Sequence, residues 1–207
     1  MGAVVALADL VDARRVWRGD SVPAPQGDQP TGVLALDAVL PTSGWPDASV
    51  SEILLPMDGV GELRLVLPTL ARLTKGKRPV VVVAPPYTPC AMGWRQREVE
   101  LGQVYLIRAP EKDVLWAAEQ CLRSGACSAV LVWPRLAEDR ALRRLQVAAD
   151  TGRTLAFVFR DHRHLANASP APLRLELVTQ PNPVIRVRKC RGANPPQSPV
   201  PFADTVH

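Results

Sequence analysis

Ser51-Glu52-Ile53-Leu54-Leu55-Pro56-Met57-Asp58-Gly59-Val60-Gly61-Glu62-Leu63-Arg64-Leu65-Val66-Leu67 decides the fold. Residues 51–55 read as a short buried strand. Residues 56–61 form a turn carrying two glycines, and Leu63-Arg64-Leu65-Val66-Leu67 opens a helix over 62–74. This is the outline of a phosphate-binding loop. In such a loop, glycines let backbone N–H groups surround the phosphates, a lysine neutralises them and a hydroxyl holds magnesium. Here Glu62 takes the lysine position and Leu63 the hydroxyl position. A carboxylate suits a helix N-terminus but repels a phosphate. The pattern points away from an ATPase and toward a protein that works by contact.

Downstream, strands and helices alternate. Strand 80–84 opens with four valines in a row, as in a parallel strand buried on both faces. A helix is expected over 94–101, then strand 103–107, helix 111–124, strand 128–133, helix 138–151 and strand 154–159. Segments 173–179 and 184–189 alternate apolar and polar residues around Gln180-Pro181-Asn182-Pro183, which predicts an antiparallel hairpin at the sheet edge. The fold class is therefore α/β, with a mainly parallel sheet covered by helices on both faces. Upstream, Val5, Leu7, Leu10, Val11 and Val16 oppose Asp9, Asp12, Arg14, Arg15 and Arg18, so residues 5–18 read as an amphipathic helix. The resulting organisation is an N-terminal interaction helix (1–20), a Pro/Gly/Gln linker (21–30), a core (31–191) and a disordered tail (192–207).

The 207 residues carry a net charge of +5, mildly basic and compatible with a nucleic-acid partner. Cys90, Cys121, Cys127 and Cys190 lack metal-ligand spacing, so no metal site is expected, and Cys121 and Cys127 read as small buried hydrophobes. No secretory signal or membrane-spanning run is visible, which leads to the expectation of a reduced cytoplasm and no membrane contact. Asp161-His162-Arg163-His164 reads as a loop rather than a metal or acid–base site.

Several short motifs, in order, resemble the recombinase core of RecA over roughly residues 31–160. Thr31-Gly32 with Leu36-Asp37 looks like that family's lead-in segment, Glu52-Ile53 before Pro56 like its first core strand, and Arg123-Ser124-Gly125-Ala126 like the approach to its magnesium-binding strand. Three positions depart from an active ATPase. Glu62 replaces the lysine, Pro85-Pro86 stand where the family has a water-activating glutamate, and Trp133 stands where an aspartate supports magnesium. The resemblance therefore implies a scaffold without catalytic residues or cofactor, with Gly59, Gly61 and Glu62 as a vestigial loop and Trp133 in the vacated pocket.

Two families resemble such a degenerate recombinase. One is SulA, the SOS-induced inhibitor of the tubulin-like division protein. The other is ImuA, the SOS-induced accessory protein of mutagenic translesion synthesis. The central stretch fits both. The ends are similar to ImuA: Ala13-Arg14-Arg15-Val16-Trp17-Arg18-Gly19, Gly44-Trp45-Pro46 and Arg186-Val187-Arg188-Lys189-Cys190-Arg191-Gly192. That resemblance implies, as partners, ImuB (a Y-family polymerase relative), an error-prone copy of the replicative polymerase subunit and RecA, with DNA a further candidate. Candidate partner-binding residues are Val5, Leu7, Leu10, Val11 and Trp17; the alternative is that this helix folds back on its own domain. Arg186, Arg188, Lys189 and Arg191 are candidates for a DNA backbone or an acidic partner, against a solvated edge strand. Trp45 and Trp94 lie in loop-like contexts where exposure is open. Trp94, Arg95 and Arg97 either stack on bases or a partner, or are surface arginines beside a buried Trp.

Overall fold

The computed structural model describes residues 29–202. The helix and most of the linker expected at the N-terminus, and the last five residues of the chain, lie outside the described residues. One eight-stranded sheet organises the molecule. Its strands are β1 (Val50–Leu55), β2 (Val80–Val83), β3 (Val104–Ile107), β4 (Ala129–Val132), β5 (Leu155–Asp161), β6 (Leu173–Val178), β7 (Val184–Cys190) and β8 (Val200–Pro201). The spatial order is β3-β2-β4-β5-β1-β6-β7-β8. All pairings from β3 to β6 are parallel, and β7 and β8 add antiparallel. Among the described residues the helices are α1 (Leu34–Asp37), α2 (Leu63–Lys75), α3 (Ala91–Gln96), α4 (Glu111–Ser124) and α5 (Asp139–Gly152). The mainly parallel α/β architecture with a C-terminal antiparallel hairpin is the one expected from the sequence. No helix among the described residues is long and apolar enough to cross a membrane.

Alternation along each strand sorts the core into two layers. Val80, Val82, Leu131, Phe157 and Phe159 face α1, α2 and α3, while Val81, Val83, Val130, Val132 and Val158 face α4 and α5. This double burial is why β2 and β4 are unbroken apolar runs. Trp45 is wholly buried in the first layer. Its indole N–H donates to Thr69 Oγ1 at 2.8 Å, and its ring meets Phe157 edge-on at 4.9 Å. The lead-in motif also has a mechanical role. The Thr31 N–H donates to Asp37 Oδ1 (2.9 Å) and the Val33 N–H to Thr31 Oγ1 (3.0 Å). Gly32, at φ +86°, lets the backbone press on Pro68, where an added Cβ would sit 2.4 Å from that ring.

Three expectations need correction. The helix placed over 94–101 lies at Ala91–Gln96 instead: the Cys90 Sγ accepts from the Gly93 N–H at its start, and Glu98 at φ +64° ends any continuation. The tail expected to be disordered is folded as far as 202, because Val200 is buried in the core and pairs with Ile185. Phe202 then lies 5.0 Å under the Arg64 guanidinium. Finally, β5 runs two residues further than expected, since Arg160 is held inside the molecule.

That buried arginine belongs to a charged triad. Glu52, in the middle of β1, has no exposed surface. Arg160 Nη1 donates to its Oε1 at 2.6 Å and Arg174 Nε to its Oε2 at 2.7 Å. Arg160 Nη2 also donates to the Ala137 carbonyl, and Arg174 reaches the carbonyls of His164, Leu165 and Asn167. A second carboxylate, Glu119 on α4, is gripped by Arg123 (2.8 Å) and by Arg144 of α5, joining the two helices.

Cys127 sits under α4, its thiol directed at the Cys121 carbonyl at 3.4 Å. Burial, and next the neighbouring Cys121, push the Cys127 thiol up to about 11. The folded state thus holds this proton more tightly than the unfolded chain, whose thiols titrate at about 8.5. Its contribution is complete below that pH and is lost as pH rises toward 11. Urea midpoints of the wild type are expected to fall more than those of Cys127→Ala between neutral and strongly alkaline pH. A colorimetric thiol reagent at neutral pH should label exposed Cys90 first and leave Cys127 for unfolding.

Candidate functional site

The vestigial loop joins β1 to α2 at the carboxyl end of the sheet. Gly59 (φ +79°) and Gly61 (φ +90°) take left-handed conformations that favour glycine. Glu62 is only 4% exposed, and the Gly59 N–H donates to its Oε1 at 3.4 Å. The loop amide that a phosphate would engage therefore faces a carboxylate of the same loop. The adjoining cavity, about 210 Å³, is lined by Gly59, Gly61, Glu62, Pro85, Tyr87 and Trp133 among others. That is below the range of about 300–1,000 Å³ usual for small-molecule pockets.

Trp133 follows β4 and is 7% exposed. Its ring stacks on Phe159, with centroids 4.3 Å apart and planes 13° from parallel. Its indole Nε1 is buried without a hydrogen-bond partner. Ala84, at φ +46°, turns the chain out of β2 into Pro85-Pro86, so no carboxylate occupies that strand end.

A larger cleft of about 930 Å³ runs across the carboxyl ends of the parallel strands. Met57 and Asp58 contribute from the loop after β1, Pro85 to Thr88 from that after β2, Arg108 from the residue after β3, Arg135 from beyond β4, and Arg160, Asp161 and Arg163 from the end of β5. Strand ends in open parallel sheets gather ligand-binding residues in this way. None of Met57, Tyr87, Arg108 or Arg135 stands out in the sequence. Their only signal is their place immediately beyond a strand.

The other candidates are dispersed. Trp94 is 4% exposed and packed in the first core layer, which excludes stacking on a base or partner and leaves Arg95 and Arg97 as exposed surface arginines. Arg186 and Arg188 share the solvent side of β7. Both approach Glu176 on β6: Arg188 donates to its Oε2 at 2.8 and 2.6 Å, and Arg186 lies 4.0 Å away. Lys189 Nζ donates to the Ser169 carbonyl at 2.7 Å, and burial, then Arg191, lower its pKa. Arg191 is exposed. The expected run of four cations is thus two arginines sharing one carboxylate, a tethered lysine and one further arginine. His164 is half-buried; burial and the nearby Arg160 and Arg163 lower its pKa, favouring the neutral ring. Val5, Leu7, Leu10, Val11 and Trp17 lie outside the described residues.

No family model matches the chain, and no curated protein matches it. A solved structure of SulA from Pseudomonas aeruginosa is similar. It is 25% identical, with a TM-score of 0.47, over 56% of this chain and 98% of that one.

Proposed function

We propose that this chain is a non-catalytic adaptor of the SOS response, acting through protein contacts in mutagenic translesion synthesis. The observation that carries the non-catalytic half is the buried Glu62 carboxylate on the Gly59 N–H. A triphosphate at this loop would have to displace a carboxylate and would find no lysine beside it. The choice of pathway rests on the sequence resemblance to ImuA at both ends of the chain. In this reading the partners are ImuB, the error-prone polymerase subunit and RecA, met in the cytoplasm. DNA contact falls to the β7 arginines.

Inhibition of the tubulin-like division protein, as for SulA, is the second reading, with which the central stretch is equally compatible. Labelled ATP with magnesium is expected to show no saturable binding. Tight, magnesium-dependent binding would overturn the non-catalytic reading. Immobilised protein is expected to retain ImuB and not the division protein; the reverse result would move the assignment to the second reading.

A further inference from the structure

The geometry points to the large strand-end cleft as the docking site for a carboxylate-bearing, apolar peptide segment of a protein partner. This rests on the reading of the chain as a protein-contact module and names the surface that makes the contact. Two buried N–H donors belong to residues lining the cleft, and neither finds an acceptor: Trp133 Nε1 and Arg160 Nε. Trp133 and Arg160 are both more than nine-tenths buried. Donors left in this condition are costly, and an incoming acceptor relieves them. Around them, Arg108 and the Arg135 side chain take part in no ion pair among the described residues, and Arg163 has a loose one, 3.7 Å from Asp161.

The choice of a peptide follows from the rest of the lining. Met57 and Tyr87, each 67% exposed, and Leu106 at 42% bring large apolar side chains to the same cleft. Large apolar side chains gathered in one cleft are the mark of a contact surface. Asp58, Glu111 and Asp161 also line the walls. They oppose a dense polyanion such as a nucleic-acid backbone, whereas a single carboxylate can pass between them to the arginines. Isolated acidic groups flanked by apolar side chains satisfy both features.

The test uses the full chain and a fluorescent, end-capped peptide alternating Glu and Leu. Its Gln analogue, inorganic phosphate and a short oligothymidylate serve as comparators. Binding is read by anisotropy and by the indole N–H resonance of Trp133, assigned with Trp133→Phe. The Glu peptide is expected to bind and to move the Trp133 resonance. Affinity should fall about tenfold or more in Arg108→Glu and in Arg135→Glu, and with the Gln analogue, while Arg186→Glu changes nothing. Both cleft substitutions are at exposed positions, and near-ultraviolet circular dichroism checks that they remain folded. The proposal falls if the Glu peptide does not bind, or if it binds without moving Trp133. Indifference to both arginine substitutions sinks it too, as does movement of the Trp133 signal by oligothymidylate or phosphate but not by the peptide. Failure here alongside retained ImuB binding discards only this surface; magnesium-dependent ATP binding discards the contact-module reading itself.

Discussion

Replacing Glu52 with Gln is expected to cost this protein about 3–5 kcal/mol, enough to leave much of it unfolded at physiological temperature. The carboxylate is wholly enclosed and accepts from two guanidinium groups that are themselves almost completely buried. Removing its charge strands two cations in a low-dielectric interior, where little solvent reaches them. A buried ion network is not in itself strongly stabilising, because desolvation offsets most of the attraction. What is costly is to break one side of it. The matched experiment is the triple substitution Glu52→Met, Arg160→Met, Arg174→Leu, which is expected to recover most or all of the loss. Glu176→Gln, by contrast, removes a partner of two solvent-exposed arginines and should change stability by less than about 1 kcal/mol. Urea denaturation of the four proteins decides the matter. A Glu52→Gln variant as stable as wild type would show that the triad is not closed to water.

The second large effect is steric. Gly152 ends α5 where it meets the end of α4, and a Cβ there would lie 1.8 Å from the Leu122 carbonyl oxygen. The opposing atom is backbone, so no side-chain rotation relieves the overlap. The two helix ends must separate, disturbing Thr154, which is buried beneath them and donates to the Cys127 carbonyl at 3.0 Å. Gly152→Ala should therefore destabilise by about 2–3 kcal/mol, against its usual helix-favouring effect. Gly102→Ala is the contrast, since nothing lies within 4 Å of its Cβ position; it should fall within about 0.5 kcal/mol of wild type. Equal thermal midpoints for the two alanine variants would contradict the close helix approach.

Which parts of this molecule could be read from its sequence follows from how local their causes are. The strand–turn–helix at 50–75, the valine strand, α4 and the hairpin each carry their signal within a dozen residues, and each was legible. The position of α3 was not: a left-handed Glu98 and a capping Cys90 have no periodicity to betray them. Trp94 beside two arginines looks like a surface anchor until the first core layer closes over it. The composition of the tail is that of disorder, yet two of its residues suffice to add a short edge strand beside β7. Glu52 belongs to a recognisable strand–turn–helix motif, but the demand its burial makes is met outside that motif. A charge in a strand buried on both faces must be answered elsewhere, and Arg160 and Arg174 are those answers. The cleft arginines were missed because their shared position appears only when the strand ends are brought together.

The place of β1 in the sheet has a consequence for biosynthesis. It is the first strand of the sheet to leave the ribosome, yet its neighbours on either side are β5 and β6, and its carboxylate waits for arginines 108 and 122 residues later. Until then the nascent chain holds an apolar strand with two raw edges and an unmatched charge. The strand at the heart of the sheet is therefore completed only by the second half of the polypeptide, and long-range closure of this kind folds slowly and leaves apolar edges open to aggregation until it is made.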